Sequence, residues 1–342
     1  MGKIIRIGTR ESQLAVWQAE QVQKLLAKNG FNAELVYIKS EGDVDLKTPL
    51  YEMDVQGVFT RSLDIALLND KIDIAVHSMK DVPTQLAKGI VQAAILKRGS
   101  HKDILVLHPG LADRKTSFAL EFISLTTMGS KTKIKESKWK LPLREHPNRP
   151  EAMEDVIIAT SSIRRKAQWL NRYPNHKIEN LRGNVNTRLH KLKESNWHGA
   201  IFAAAGLERI NLRPENSIDL DWMLPAPAQG AIMVVCRQQD RFSLSACKNF
   251  NDANTALCTK IERDFLKILL GGCSTPISAL AEIKTKYVYF RGNILSIDGK
   301  EKAEVSYRID KTQADELGKI AAEKILTIGG KEIAEKIRNA DK

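Results

Sequence analysis

The sequence predicts an α/β protein made of two α/β lobes joined by crossing segments, followed by a small α+β C-terminal domain. Three observations carry this prediction. Short apolar runs alternate with amphipathic helical stretches as far as about Cys236, a proline-rich segment interrupts the alternation, and the pattern changes style from about Asn254.

In chain order, Lys3–Gly8 reads as a buried strand and residues from about Ser12 to Asn29 as a helix. Leu14, Trp17, Val22, Leu25 and Leu26 form the helix's apolar stripe, and Gly30 suits its end. Ala33–Lys39, Ile72–His77, Val91–Leu96 and Asp103–Leu107 follow as strands, which predicts a mostly parallel sheet. Pro109 to Pro150 breaks the rhythm with basic and turn-forming residues, and reads as a linker or insertion. Val156–Thr160, a helix from Ile163, a strand near Lys177–Leu181, a helix after Asn184 and the strand Gly199–Ala205 make a second unit. LPAPAQGA (Leu224–Ala231) cannot hold a regular element, so it reads as a crossing segment that lets the strand Ile232–Cys236 return to the first sheet. The expected division is 1–108 with 231–250 for the first lobe, 109–150 for the basic insertion, 151–224 for the second lobe, 225–230 for the crossing segment and 251–342 for the C-terminal domain. No internal repeat is evident.

The 342 residues carry a formal net charge of +12, which favours an anionic partner: nucleic acid, an acidic membrane surface or a polycarboxylate. An aromatic content of 6% without basic–aromatic interleaving argues against a single-strand-binding groove. No run approaches a membrane span and MGKIIRIGTR lacks a secretory apolar stretch, so a cytoplasmic location is expected. Cys236, Cys247, Cys258 and Cys273 show no metal-ligand spacing and no disulfide framework.

Five segments could carry chemistry. In GTRESQLA, Arg10 and Ser12 lie between a strand and a helix start, where free N–H groups, the helix dipole and a guanidinium together favour a carboxylate. HSMKDVP follows a strand; Asp81 offers an acid or base and Lys80 an anion contact, with His77 read as a polar cap at the strand end. ATSSIRRKAQ and LRGNVNTRLHKL repeat the strand-to-helix arrangement with Arg164, Arg165, Arg182 and Arg188. Each alone also fits an ordinary helix start on a solvated surface; several in one chain make accident less attractive. In LLGGCSTPIS, Gly271 and Gly272 remove bulk beside Cys273 and allow it to be presented on a mobile loop.

Together, GTRESQLAVWQA, HSMKDVPT, ATSSIRR, LRGNVNTRL, AAAGLERI, APAQGA and LLGGCSTPI, in this order, resemble the porphobilinogen deaminases over nearly the whole chain except about 110–150. The resemblance implies periplasmic-binding-protein-like lobes and a dipyrromethane primer attached by a thioether to Cys273. It implies that four porphobilinogen molecules join head to tail with loss of ammonia, giving hydroxymethylbilane for tetrapyrrole biosynthesis. Asp81 matches the catalytic aspartate. The resemblance assigns Ser78, Lys80, Asp81, Thr160, Ser162, Arg164, Arg165 and Ala203 to the primer, and Arg10, Ser12, Gln18, Arg182 and Arg188 to substrate carboxylates. A monomer acting on a small molecule is expected, with no nucleic-acid or membrane partner and no metal. In the stretch matching the family's lid, Glu52 and Gln56 replace common lysines, which leaves Phe59 as the expected cover. The competing class is a two-lobed anion-binding protein without chemistry, which explains the arginines but gives Cys273 and Asp81 no task.

Overall fold

The computed structural model describes residues 3–39, 60–112, 156–269 and 275–340. In chain order the elements run β1 (Ile5–Thr9), α1 (Gln13–Lys28), β2 (Ala33–Tyr37), α2 (Arg61–Leu68), β3 (Ile74–Ser78), β4 (Ile90–Ile95), β5 (Asp103–Leu107) and the short α3 (Pro109–Ala112). There follow β6 (Ile157–Ala159), α4 (Ile163–Arg172), β7 (Lys177–Glu179), α5 (Val185–Glu194), β8 (Gly199–Ala203), α6 (Ala204–Glu208) and β9 (Ser217–Asp219). The chain ends with β10 (Ile232–Arg237), α7 (Arg241–Lys248), α8 (Ala253–Ile268), the strands β11 (Ile277–Lys284), β12 (Tyr287–Leu295) and β13 (Lys302–Asp310), and the helices α9 (Leu317–Ile325) and α10 (Lys331–Ala340).

Two five-stranded sheets share one plan. The first has the order β2-β1-β3-β10-β4 and the second β7-β6-β8-β5-β9. β1 pairs in parallel with β2 and β3, while β10 runs antiparallel between β3 and β4. β6 likewise pairs in parallel with β7 and β8, and β5 runs antiparallel between β8 and β9. Each sheet is therefore mostly parallel, with four strands in one direction and one antiparallel strand that arrives from the other lobe. That exchange corrects the expected first-lobe boundary at 108: β5 belongs to the second sheet. Its five residues are all buried, and an uninterrupted apolar run cannot show which of two sheets covers it. The repeated plan needs only matching patterns, not matching residues, so no sequence repeat announces it.

Packing follows the apolar spacing. Ala19, Val22 and Leu26 of α1 bury one face of the first sheet against Ile5, Ile7, Ile74, Val76 and Val234. Leu63, Ala66 and Leu67 of α2 cover the other face against Ala75, Met233 and Val235. Each fully buried aliphatic side chain of this kind contributes about 1.5–3 kcal/mol. In the second lobe Trp169 of α4 packs on Leu105, Ile158 and Ile201, with Ile104, Val106, Leu192 and Phe202 on the opposite face. The third sheet, β11-β12-β13, closes against α8, α9 and α10; Phe265 and Phe290 meet edge-on at 5.3 Å.

The connections after β4 and before β10 touch where they cross. Gly99 donates its N–H to the Gly230 carbonyl at 3.0 Å. Gly230 has φ +86°, and a Cβ there would lie 2.5 Å from the Ser100 carbonyl oxygen, so the approach requires glycine. The fully buried Glu262 of α8 binds both connections. It accepts from Arg98 Nη1 at 2.6 Å and Nη2 at 3.1 Å, from the Ala228 N–H at 2.6 Å, and from the Ala281 N–H of β11 at 2.8 Å. One carboxylate thus ties both crossings to the C-terminal domain.

A cationic cleft at the strand ends

The predicted site residues gather at the carboxyl ends of the parallel strands, where successive helices begin. β1 leads through Arg10 and Ser12 into α1, β3 into the turn Met79–Asp81, β6 through Thr160 and Ser162 into α4, and β8 through Ala203 into α6. Arg182 follows β7 and precedes the Asn184 cap of α5. Such strand ends form the natural ligand crevice of an open α/β sheet.

Local hydrogen bonding separates structural caps from groups left for a ligand. Asn184 caps α5 by accepting from the Thr187 N–H at 2.9 Å. Ser12 and Ser162 occupy the N-cap positions of α1 and α4 in extended backbone, yet neither side chain makes a capping bond. The ordinary-cap explanation therefore fails for these two serines. The Thr160 hydroxyl accepts from the Ser162 N–H at 3.2 Å. Gln18 is buried in α1 and donates from Nε2 to Ser78 Oγ at 2.9 Å, which joins α1 to the end of β3.

Charge concentrates where the lobes face each other. Lys80 and Asp81 are exposed to solvent, although Lys80 lies deep among protein atoms; both facts hold for the wall of an open cleft. That surrounding mass lowers the Lys80 pKa. Arg165 and Arg164 lower it further, while Asp81 and Asp103 oppose them. Arg188 is pushed down to about 10 by burial and by Arg165 and Arg182, against the pull of Asp81. Asp81 of the first lobe thus sits within electrostatic reach of Arg188 in the second. The Arg188 Nε donates to the Gly183 carbonyl at 2.7 Å, which orients its guanidinium. Arg10 helps burial hold His77 down at about 4. Direct contacts also bridge the lobes, with Asn186 Nδ2 donating to Gln13 Oε1 at 3.1 Å and Arg209 lying 5.7 Å from the Trp17 ring centre.

Arg164 and Arg165 are nearly as buried as the core, 5% and 4% exposed, and share a counter-ion absent from the sequence reading. Asp103, 0% exposed, accepts at Oδ1 from Arg165 Nε at 3.0 Å and Nη2 at 2.7 Å. Arg164 Nη1 lies 2.7 Å from Oδ2, an ion pair without hydrogen-bond alignment. Arg164 Nη1 also donates to the Leu224 carbonyl at 2.6 Å and Arg165 Nη1 to the Ile201 carbonyl at 2.9 Å. Burial alone would raise the Asp103 pKa; the charges of Arg164 and Arg165 overcome it and hold it at about 2. Gln229 of the second crossing donates to the same Oδ1 at 3.0 Å. The sequence holds one signal for Asp103: an acid opening an otherwise apolar strand needs a buried partner.

The thiols divide as well. Cys236, Cys247 and Cys258 are buried, and desolvation pushes them up to about 11, 12 and 11. Cys273 and Phe59, as well as Glu52, Gln56 and most of the basic insertion, lie outside the described residues. The residues just after Cys273 do reach the cleft's supporting helix: Gln168 of α4 donates to Ser278 Oγ at 3.0 Å, and the Ala279 N–H bonds the Pro225 carbonyl at 3.2 Å.

Taken together, fold and site define a two-lobed α/β protein whose strand ends bring cations of both lobes together. Two family models match the chain. One, described as porphobilinogen deaminase, dipyromethane cofactor binding domain, covers residues 5–245, and the porphobilinogen deaminase C-terminal domain covers 256–327. The chain belongs to the porphobilinogen deaminase family. It is 34% identical over 338 residues to a porphobilinogen deaminase of Desulforamulus reducens, covering 98% of each chain. It is 38% identical over 312 residues to a chloroplastic porphobilinogen deaminase of Oryza sativa subsp. japonica, covering 89% of this chain and 77% of that one. Among solved structures, a methionine-binding protein overlaps 74% of this chain and 92% of its own at 13% identity, with a TM-score of 0.40. The family's dipyrromethane carries acidic side chains, and the donors present suit it. Arg164 Nε is buried with no partner, and the Ser162 hydroxyl makes no capping bond beside it.

Proposed function

We propose that this chain condenses four porphobilinogen molecules head to tail, with loss of ammonia, on a dipyrromethane primer held through a thioether to Cys273, and releases hydroxymethylbilane. The observation that carries the reading is the meeting of Lys80 and Asp81 from one lobe with Arg164, Arg165 and Arg188 from the other. A simple anion-binding protein would need the cations but has no use for a solvent-facing carboxylate among them. The three buried thiols resist ionisation, which leaves Cys273 as the cysteine suited to attack an electrophilic methylene.

When bound, the primer supplies a free pyrrole α-carbon for carbon–carbon bond formation. In each addition the aminomethyl C–N bond of porphobilinogen breaks, ammonia leaves, one C–C bond forms and one proton departs from the attacking carbon. Asp81 is exposed to the cleft, whereas Asp103 is locked between arginines. Asp81 is therefore the acid that can accept a hydrogen bond from a pyrrole N–H and balance positive charge as ammonia leaves. Lys80, Ser78, Thr160, Ser162, Arg164 and Arg165 hold the primer's carboxylates beside Ala203. Arg10, Ser12, Gln18, Arg182 and Arg188 hold those of the incoming substrate, and Phe59 covers the site. A charge-assisted hydrogen bond contributes about 1.5–3 kcal/mol, so a few of them retain a growing polyanion.

We read the protein as a cytoplasmic monomer working on a small molecule, without a nucleic-acid or membrane partner. Among the described residues no helix is long and apolar enough to cross a membrane. The functional test is to incubate purified protein with porphobilinogen and measure ammonia and linear tetrapyrrole together. Four ammonia per tetrapyrrole released supports the reading; binding of porphobilinogen without ammonia release overturns it in favour of a binding protein.

A further inference from the structure

The geometry assigns Asp103 as the positioning residue for the arginine pair, and Gln229 as the link that references this pair to the crossing segments. The inference rests on the proposed function, since it concerns how the same cleft receives the primer. Arg164 and Arg165 are consecutive residues in the first turn of α4, the positive end of its dipole, where cations are disfavoured. Lys80 adds a third positive charge from the opposite lobe. Without an anion among them the two guanidiniums would repel and turn toward water. Asp103 prevents this from a fully buried position, engaging Arg165 through two donors and Arg164 through the other carboxylate oxygen.

The position of Asp103 in the chain gives the pairing a second consequence. It is the first residue of β5, immediately after the first crossing, and its β partner is Ala203, which also lines the proposed primer site. Gln229 lies in the second crossing; its Nε2 donates both to Asp103 Oδ1 at 3.0 Å and to the His101 carbonyl at 2.8 Å. The arginines are thus held relative to both connections between the lobes as well as to their own helix. A shift of either crossing would be transmitted through Asp103 to the groups that meet the primer's carboxylates.

The test uses full-length protein produced without a porphobilinogen supply, then exposed to graded porphobilinogen while intact mass follows adduct acquisition. Circular dichroism and thermal unfolding report folding in parallel. Asp103→Asn is expected to raise the half-saturating concentration for acquisition at least tenfold, with little loss in the fraction of chains that finally load. Gln229→Met removes the linking donor at similar length and is expected to raise it about threefold. A general structural defect would instead lower the loadable fraction at unchanged half-saturation, and that result overturns the positioning role. If Asp103→Asn does not fold, Gln229→Met decides, and unchanged half-saturation there overturns the inference. Failure of the unaltered chain to gain any adduct overturns the functional reading itself.

Discussion

Replacing Glu262 by glutamine removes one charge from the junction of both crossings and the C-terminal domain. In the native arrangement its carboxylate accepts four hydrogen bonds, two from Arg98 and two from the backbone of Ala228 and Ala281. The amide keeps only one oxygen, so its nitrogen must face a donor and leave at least one N–H unmatched. The greater cost is electrostatic, because Arg98 is largely buried, its side chain 12% exposed, and loses its counter-ion. Removing one partner of a buried pair typically costs about 3–5 kcal/mol. Thermal unfolding followed by circular dichroism should therefore show a drop in Tm of roughly 4–7 °C for a chain of this length. Because the carboxylate joins three parts of the fold, Arg98→Met combined with Glu262→Gln should cost less than the two single changes summed. A Tm within about 1 °C of the unaltered protein, or strict additivity in the double variant, would refute the account of this junction.

Other changes separate chemistry from folding. Asp81→Asn should unfold at the usual temperature while slowing ammonia release at least a hundredfold, as loss of a charge facing the transition state does; near-normal turnover rules out its role. Arg188→Leu should accumulate partly elongated enzyme species in native mass spectra after limited porphobilinogen, whereas release of product at the ordinary rate contradicts the assignment. Gly230→Ala must adopt φ +86° and place a methyl against the Ser100 carbonyl, so it should cost at least about 1–3 kcal/mol from backbone strain alone; an unchanged Tm would show that the crossing can relax. His77 is held at about 4 in the folded chain against 6.5 for the free group, chiefly by burial. The unfolded chain then binds this proton first, so stability should fall by about 3 kcal/mol as pH drops from about 6.5 to about 4. Urea midpoints across that range should lose part of their slope in His77→Gln, and an identical slope would contradict the assignment.

The strand-to-helix junctions were legible because each combines an apolar run, a small or hydroxyl residue and a cation within a few positions. Gly8 to Ser12 and Ala159 to Arg165 are clear examples, and the structure brings both to the same edge of their sheets. The return of Ile232–Cys236 to the first sheet was also legible, since two prolines beforehand exclude a local continuation. The exchange of β5 was not, because DILVL has the same apolar pattern whichever sheet receives it. α2 and α7 carry no clear signal in the sequence, being eight residues each with too few turns for a firm periodicity. The strand expected over Gly199–Ala205 ends at Ala203, because Ala204 and Ala205 suit the end of a strand or the start of α6 equally well. Asp103 and Glu262 escaped for a different reason. A buried acid declares itself only through its partners, and Arg164, Gln229 and Arg98 are distant in sequence, brought near by the crossings.

Peptide mapping of the purified protein by mass spectrometry tests the central claim most directly. The account predicts a dipyrrole mass on the peptide containing Cys273, with unmodified thiols at Cys236, Cys247 and Cys258. A dipyrrole on any of those three, or protein that forms tetrapyrrole with Cys273 unmodified throughout, would contradict it.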